Sequence, residues 1–211
     1  MTASSTSVVI ADLGLGNLRS VARAIERAGG VATITADPDA LRKADKVIVP
    51  GQGAFRDSAL ALERGFGPAL RDVIRAGTPY LGICLGMQVL FEGSDEAPGA
   101  QGLGLFAGRV KRFPDPLLDS DGTRLKVPHN GWNEVEGRHP ALPESGWFYH
   151  THSYFAVPAD ERLVVGRVHY GVDFCAAVAK DNVFACQFHP EKSQEEGHRL
   201  LTCFVNGTGW K

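Results

Sequence analysis

A cysteine between two glycines, Cys84 in the segment 82–86, is well placed to act as a nucleophile. An apolar, strand-like run precedes it and a helical pattern over 85–91 follows it. This order of strand, sharp turn and helix is typical of a nucleophile elbow. The N–H groups and dipole at the start of the predicted helix would favour the thiolate, the reactive form of cysteine. Considered alone, Cys84 could instead be a small buried side chain, as free cysteines often are.

A histidine and a glutamate two positions apart, His189 and Glu191, could serve such a thiol. They lie between a predicted strand and the last predicted helix. Imidazole can accept the thiol proton near neutral pH, and a carboxylate can orient the ring and stabilise its charged form. Pro190 favours an extended chain, in which residues two apart point to the same side. An isolated His-Pro-Glu sequence could be an ordinary surface pair, so the combination with Cys84 carries the interpretation.

The first 93 residues alternate strands and helices, which predicts a parallel sheet with helices on both faces. Asn17 is a suitable N-cap for the first helix, and a break at Gly67-Pro68 separates two later helices. The predicted strands are 8–10, 31–35, 46–50 and the run before Cys84, and the later helices are 58–66 and 68–76.

After Gly93 the pattern changes to short strand-like runs separated by Gly, Pro and Asp. These runs are 102–113, 125–135, 147–157, 163–169, 175–180 and 183–188, and a helix over 193–205 follows. Asp181-Asn182 fits a two-residue hairpin turn, and 113–122 is the segment expected to form an exposed loop. The sequence therefore predicts an α/β fold, with a mostly parallel central sheet flanked by helices and a more antiparallel C-terminal half. Residues 1–211 are expected to form a single domain.

Composition limits the classes of function. The 211 residues are 44% apolar and 22% charged, with a net charge of -2 and no long basic run, which argues against nucleic acid or anionic membrane as partners. No stretch approaches the roughly 20 apolar residues of a membrane-spanning helix. Residues 1–7 lack the basic start of a secretion signal. The four cysteines have neither disulfide-type nor zinc-type spacing, so we expect a cytoplasmic protein with free thiols, no metal ion and no cofactor.

Several motifs, taken in order, resemble the triad class of glutamine amidotransferases, and four of them resemble more specifically the glutaminase subunits of imidazole glycerol phosphate synthase. The class-wide motifs are Gly82-Ile83-Cys84-Leu85-Gly86-Met87-Gln88, His189-Pro190-Glu191 and Pro50-Gly51-Gln52-Gly53. The more specific ones are 12–18, 91–96, Pro128-His129-Asn130-Gly131-Trp132-Asn133 and His152-Ser153-Tyr154. The chain departs from the family at Gln52, where valine is more common, and at 149–151, where a more apolar lead into His152 is usual.

The resemblance implies a glutaminase domain that hydrolyses L-glutamine with a Cys-His-Glu triad. Cys84 would be the nucleophile, His189 the general base and acid, and Glu191 the residue that orients His189. The oxyanion hole is expected at Gln52, Gly53 and Leu85. The residues expected to bind substrate are Gly51, Gln88, Glu96, Ser153 and Tyr154.

The resemblance also implies a second protein, a cyclase subunit with a (β/α)8 barrel, in a heterodimer. The cyclase would use the ammonia to make imidazole glycerol phosphate and an aminoimidazole carboxamide ribotide in histidine biosynthesis. The residues expected at the contact are Asn17, His129, Trp132, Tyr149 and Lys192.

Three other functions remain open on the sequence. The chain could be a glutaminase for another acceptor, in vitamin B6, anthranilate or GMP synthesis, although the motifs at 12–18 and 129–133 argue against this. It could be a cysteine hydrolase acting on a γ-glutamyl peptide. It could also be a scaffold that only binds a partner, but the intact Cys84, His189 and Glu191 set argues against that role.

Overall fold

The structure is a computed structural model that describes residues 6–210, and twelve β-strands in this range join in one sheet. The strands are β1 (Ser7–Ala11), β2 (Val31–Thr35), β3 (Val47–Gly51), β4 (Tyr80–Cys84), β5 (Gly93–Ser94), β6 (Gly108–Arg112), β7 (His129–Gly137), β8 (Ser145–His152), β9 (Tyr154–Pro158), β10 (Val164–His169), β11 (Asp173–Lys180) and β12 (Val183–Cys186). The main order is β2-β1-β3-β4-β12-β11-β10-β7-β8, and β9 joins β6 and β5 to β11. The prediction that residues 1–7 are not a secretion signal concerns mostly residues 1–5, which lie outside the described range.

Six α-helices accompany the strands in the described part of the chain. They are α1 (Leu18–Arg27), α2 (Pro38–Leu41), α3 (Phe55–Ala61), α4 (Gly67–Arg75), α5 (Leu85–Gln88) and α6 (Gln194–Asn206). The side chain of Asn17 accepts a hydrogen bond from the Ser20 N–H at the start of α1, which confirms the predicted N-cap. No helix within residues 6–210 is both long and apolar enough to cross a membrane.

Alternate residues of the parallel strands enter two cores on opposite faces of the sheet. In β1, Val8 and Ile10 pack in the core that holds the buried sides of α1 and α6. Val9 and Ala11 pack in the core with α3 and α4. Burial on both faces explains why β1, β3, β4 and β12 are almost entirely apolar, whereas the edge strand β2 is largely exposed. Strands β2, β1, β3, β4 and β12 are parallel, whereas β11, β10, β7 and β8 pair antiparallel, which confirms the predicted fold class.

The helices between β3 and β4 differ from the prediction. The first begins at Phe55 rather than 58, and the chain breaks at Gly65 rather than at Gly67-Pro68. Gly65 has a φ of 120°, which glycine adopts readily because it has no side chain. Pro68 lies in the first turn of α4, where its missing N–H breaks no helical hydrogen bond. The short helix α2, which the sequence pattern did not predict, starts from a cap by Asp37.

In the C-terminal half, the strands occupy parts of the predicted runs. The run 147–157 forms two strands, because the chain turns at Ser153. Strand β8 before the turn pairs with β7, whereas β9 after the turn pairs with β6 and β11. Only Gly108–Arg112 of the run 102–113 is a strand, and β7 begins at His129 rather than at 125. The hairpin between β11 and β12 is confirmed, with Asp181 at a φ of 52°.

Candidate active site

Cys84 ends β4 in a strained conformation. Its φ of 54° and ψ of -104° are rare for a residue with a side chain, and such strain commonly marks functional positions. A Cβ atom on Gly86 would lie 1.7 Å from the Val49 carbonyl oxygen, and one on Gly82 would lie 2.5 Å from the Gly86 oxygen. Both glycines are therefore needed for the backbone to turn so tightly, as the elbow interpretation required.

The helix after Cys84 is much shorter than predicted. Only Leu85–Gln88 is α-helical, and the chain then continues in turns instead of a helix to residue 91. Four residues give a small dipole, so the predicted contribution of the helix to the thiolate is correspondingly small. Another polar group also contacts the sulfur.

That group is Gln187, which the sequence reasoning did not single out. Ile83 pairs with Cys186 across the parallel strands β4 and β12, so Cys84 and Gln187 emerge side by side at the carboxyl edge of the sheet. The fully buried Gln187 donates from Nε2 to the Cys84 sulfur over 3.4 Å. The Oε1 atom of Gln187 accepts a hydrogen bond from Gln88 Nε2 at 3.0 Å. Gln88 Nε2 also donates to the Tyr154 carbonyl oxygen at 3.2 Å. The only sequence signal was a polar residue ending a buried strand beside His189.

His189 and Glu191 form a buried pair, with 2.8 Å between Nδ1 and Oε1 and side chains 2% and 4% exposed. The segment Pro190–Lys192 is a 3₁₀ turn and not the extended chain predicted, so the turn rather than strand alternation brings the two side chains together. Burial lowers the pKa of His189, but the neighbouring Cys84 sulfur and the Glu191 carboxylate outweigh burial and raise this pKa to about 9. A protonated imidazole beside a sulfur anion is the arrangement of an activated cysteine.

A cavity of about 280 Å³ opens above the sulfur. It is lined by Cys84 and by seven of the eight residues predicted for the oxyanion hole and the substrate, namely Gln52, Gly53, Leu85, Gln88, Glu96, Ser153 and Tyr154. The eighth, Gly51, pairs with Cys84 at the end of β3 and does not line the cavity. An adjoining cavity of about 670 Å³ shares Pro128 and Thr151 but contains none of the three candidate catalytic residues.

Glu96 is held in place by the start of α3. Its Oε2 accepts a hydrogen bond from the Phe55 N–H at 2.8 Å, so the carboxylate sits at the N-terminal end of that helix. The chain from β3 into α3 carries Gln52 and Gly53, so this contact ties the Glu96 side of the cavity to the predicted oxyanion loop.

Four of the five residues predicted to meet a partner reach the surface. Trp132 is 42% exposed and makes an edge contact with Tyr149, whose ring lies 5.7 Å from Lys192 Nζ. Asn17 is exposed at the start of α1. His129 is 3% exposed and stacks on the Tyr170 ring, so it lies inside the sheet region and is unsuited to a direct contact.

Solved structures share this fold. A crystal structure of a glutamine amidotransferase has a TM-score of 0.73 at 22% identity, covering 94% of this chain and 97% of that one. The structure of PurLQS from Thermotoga maritima has a TM-score of 0.72 at 20% identity, covering 97% of this chain and 99% of the other.

Sequence comparisons are more specific than these structural ones. The family model for glutamine amidotransferase class-I matches residues 9–206. Imidazole glycerol phosphate synthase subunit HisH of Dechloromonas aromatica is 49% identical over 213 residues, with 97% of this chain and 98% of that protein covered. The HisH subunit of Methylococcus capsulatus is 46% identical over 214 residues, with the same coverage. With relatives this similar over nearly their whole length, the chain belongs to the class I glutamine amidotransferase family and, within it, to the HisH subunits of imidazole glycerol phosphate synthase.

Proposed function

We propose that this chain is the glutaminase subunit that hydrolyses L-glutamine to glutamate and ammonia and passes the ammonia to a cyclase subunit. The observation that supports this most directly is one site that combines a strained cysteine, a raised histidine pKa and a buried carboxylate. The site belongs to a HisH family member, and the cavity above it is of a size to hold one amino acid.

In the proposed reaction, the Cys84 sulfur attacks the carboxamide carbon of glutamine. The π electrons move to the carboxamide oxygen, which forms an oxyanion. His189, protonated as long as the pH is below its pKa, transfers its proton to the leaving amino group, and the C–N bond breaks to release ammonia. Water, deprotonated by the now neutral His189, attacks the resulting thioester. The C–S bond then breaks, which releases glutamate and regenerates the Cys84 thiolate. Glu191 keeps Nδ1 of His189 as a donor, so that Nε2 faces the reaction.

The oxyanion would be stabilised by backbone N–H groups of Leu85 and of the Gly51–Gly53 loop. This loop is packed closely against the segment that precedes α1, because a Cβ on Gly16 would lie 3.0 Å from the Gln52 backbone nitrogen. Gln88, Glu96, Ser153 and Tyr154 surround the space left for the amino-acid end of glutamine, with the Glu96 carboxylate suited to its ammonium group.

We further propose that the partner is the cyclase, a (β/α)8 barrel, and that it binds the surface of Trp132, Tyr149 and Lys192 together with Asn17. Tyr149 connects this surface to the triad, because its carbonyl oxygen accepts from the His189 N–H at 2.9 Å. Its own N–H donates to Ser193 Oγ, which in turn donates to the His189 carbonyl. The products would be imidazole glycerol phosphate and an aminoimidazole carboxamide ribotide, made in the cytoplasm by a heterodimer to which residues 1–211 contribute one domain.

The test is to measure glutamate release by the chain alone, with the cyclase, and with the cyclase plus its nucleotide ligand. Each addition should increase the rate, and Cys84→Ala should abolish it in the complete complex while the far-UV circular dichroism is unchanged. Native activity in Cys84→Ala would refute the triad mechanism. High activity of the isolated chain, unchanged by either addition, would refute the coupling but not the triad.

A further inference from the structure

Tyr80, the first residue of β4, carries a hydroxyl group into the core that packs against α3 and α4. Its side chain is fully buried, and the hydroxyl donates a hydrogen bond to the Gly86 carbonyl oxygen at 2.8 Å. Because Cys84 lies between these two residues in the chain, the bond joins the strand before the nucleophile to the helix after it. The steps of the proposed glutaminase reaction give this bond no role.

The Gly86 carbonyl takes this bond because the backbone of the short helix α5 passes it over. The N–H groups of residues 89–91 donate instead to the carbonyls of Leu85, Met87 and Gln88. At the end of a helix, bonds from each residue to the fourth before it commonly give way to bonds to the third, and one carbonyl can then lose its helical partner. A buried carbonyl without a donor is costly, and the phenol hydroxyl supplies the donor.

Two glycines bring the oxygen within reach of the hydroxyl. Tyr80 and Gly82 are two positions apart on β4, so they point to the same face of the sheet. The Gly86 oxygen would lie 2.5 Å from a Cβ atom on Gly82, so it occupies the space that a side chain there would fill. A Cβ atom on Gly86 would lie 1.7 Å from the Val49 carbonyl oxygen of β3. The first turn of α5 is therefore held between β3 and the Tyr80 hydroxyl.

Packing alone does not require the hydroxyl. The other side chains of β4 between Tyr80 and Cys84 are apolar or absent, and a phenylalanine at position 80 would fill the same space. Burying a polar atom in such a place is unfavourable unless the atom makes a hydrogen bond. Burial also raises the pKa of Tyr80 far above the usual range for a phenol, so the group keeps its proton and remains a donor at any pH of an enzyme assay.

We propose that Tyr80 is a positioning residue for the glutaminase reaction, and that it keeps Cys84 and the Leu85 N–H in their reactive places by anchoring Gly86. The inference rests on the proposed function. Cys84 has a strained backbone with a φ of 54°, and a strained residue keeps its conformation only where its surroundings hold it. The Leu85 N–H, the proposed oxyanion donor, belongs to the turn that the bond fixes.

The test is Tyr80→Phe, which removes one oxygen atom and keeps the ring. Leaving the buried Gly86 carbonyl without a donor disfavours the native elbow by a factor of roughly 5 to 150. In the complete complex with the cyclase, kcat for glutamate release should therefore fall by about 5-fold or more. KM should stay within about twofold, because the substrate-facing Gln88 and Glu96 are held by separate contacts with Gln187 and Phe55. The rates are measured well below the unfolding temperature of each variant, so that unfolding does not contribute.

A second measurement requires neither glutamine nor the cyclase. Alkylation of Cys84 by iodoacetamide in the isolated chain should be slower in Tyr80→Phe by roughly 2- to 10-fold, because a displaced elbow moves the sulfur away from Gln187 and His189. The matched control is Tyr170→Phe, the same substitution at a hydroxyl that donates to the Lys126 carbonyl at 2.9 Å. This control should keep the native kcat and the native alkylation rate.

Circular dichroism checks that both variants fold. If Tyr80→Phe does not, Tyr80→Met replaces it and should give the same losses. The proposal is overturned if the Tyr80 variant keeps native kcat and alkylation rate and loses only stability, if KM carries the whole loss, or if Tyr170→Phe loses both rates equally. A native complex that releases no glutamate would refute the proposed function instead, and the alkylation rates would still show whether Tyr80 holds the sulfur in place.

Discussion

The contact between Gln187 and the Cys84 sulfur leads to a quantitative prediction. In Gln187→Met, the side chain keeps its length but loses the N–H that lies 3.4 Å from the sulfur. A hydrogen bond to a charged group is worth about 1.5–3 kcal/mol, so its loss lowers the thiolate fraction by roughly 10- to 150-fold. The thiolate that remains is more basic and more nucleophilic, which recovers about 40–50% of the loss on a logarithmic scale. The net rate should therefore fall by roughly 3- to 20-fold.

Alkylation by iodoacetamide is the assay that isolates this effect, because it does not require the glutamine-binding residues. The rate for Gln187→Met should lie below the native rate across the neutral pH range, because the thiolate is the reactive form of cysteine. The control is Gln101→Met, since Gln101 is exposed and its amide contacts only the Gly99 carbonyl oxygen at 3.5 Å. Alkylation of Gln187→Met at the native rate throughout that range, with the fold intact, would show that Gln187 does not stabilise the thiolate.

Three further predictions follow from other contacts. Since His189 must be protonated to release ammonia, kcat/KM of the complex should fall above about pH 9. Glu191→Gln should move this fall to lower pH, because the carboxylate raises the pKa of His189, and should reduce kcat/KM by about 10²- to 10⁴-fold. A pH profile of the variant without that shift would contradict the His189–Glu191 pairing. Gly86→Ala should lower the free energy of unfolding, measured with urea, by about 3 kcal/mol or more, because the added Cβ collides with the Val49 carbonyl oxygen. A variant that unfolds at the same urea concentration as the native chain would disprove this. Lys46→Met should lower the free energy of unfolding by about 1–2 kcal/mol in the same assay, because Nζ donates hydrogen bonds to two carbonyl oxygens at the end of α6. The control Lys43→Met, at an exposed position, should change it little.

Local pattern was enough to predict the tight turn at Cys84 and the parallel half of the sheet. The glycines around Cys84 and the apolar runs before it are short-range signals, and burial on both sheet faces leaves parallel strands almost no freedom in composition. The His189–Glu191 contact was also predicted, but for a different reason. The sequence suggested strand alternation, and the chain instead uses a 3₁₀ turn that Pro190 begins.

Features that depend on strand register could not be predicted from spacing along the chain. Gln187 meets Cys84 only because β12 lies next to β4, a neighbour relation that joins the two ends of the sequence. His129 joins His150 and His152 only through the pairing of β7 with β8, and before that pairing is known they are unrelated histidines. Likewise, the turn at Ser153 could not be distinguished from a continuous strand, because residues on both sides have strand-forming side chains.

Strand β8 places the proposed partner surface and the proposed substrate site on one piece of backbone. Its exposed face carries Tyr149, while its end runs into Ser153 and Tyr154 beside the sulfur. Tyr149 holds the backbone N–H of His189, so a protein that displaced this edge strand would act on the base and on the substrate pocket together. Because β8 pairs with only one strand of residues 6–210, β7, such a displacement requires fewer broken hydrogen bonds than moving a central strand. In the proposed complex, a signal from the partner would therefore need no long pathway through the core, because Tyr149 on β8 itself contacts the backbone of His189.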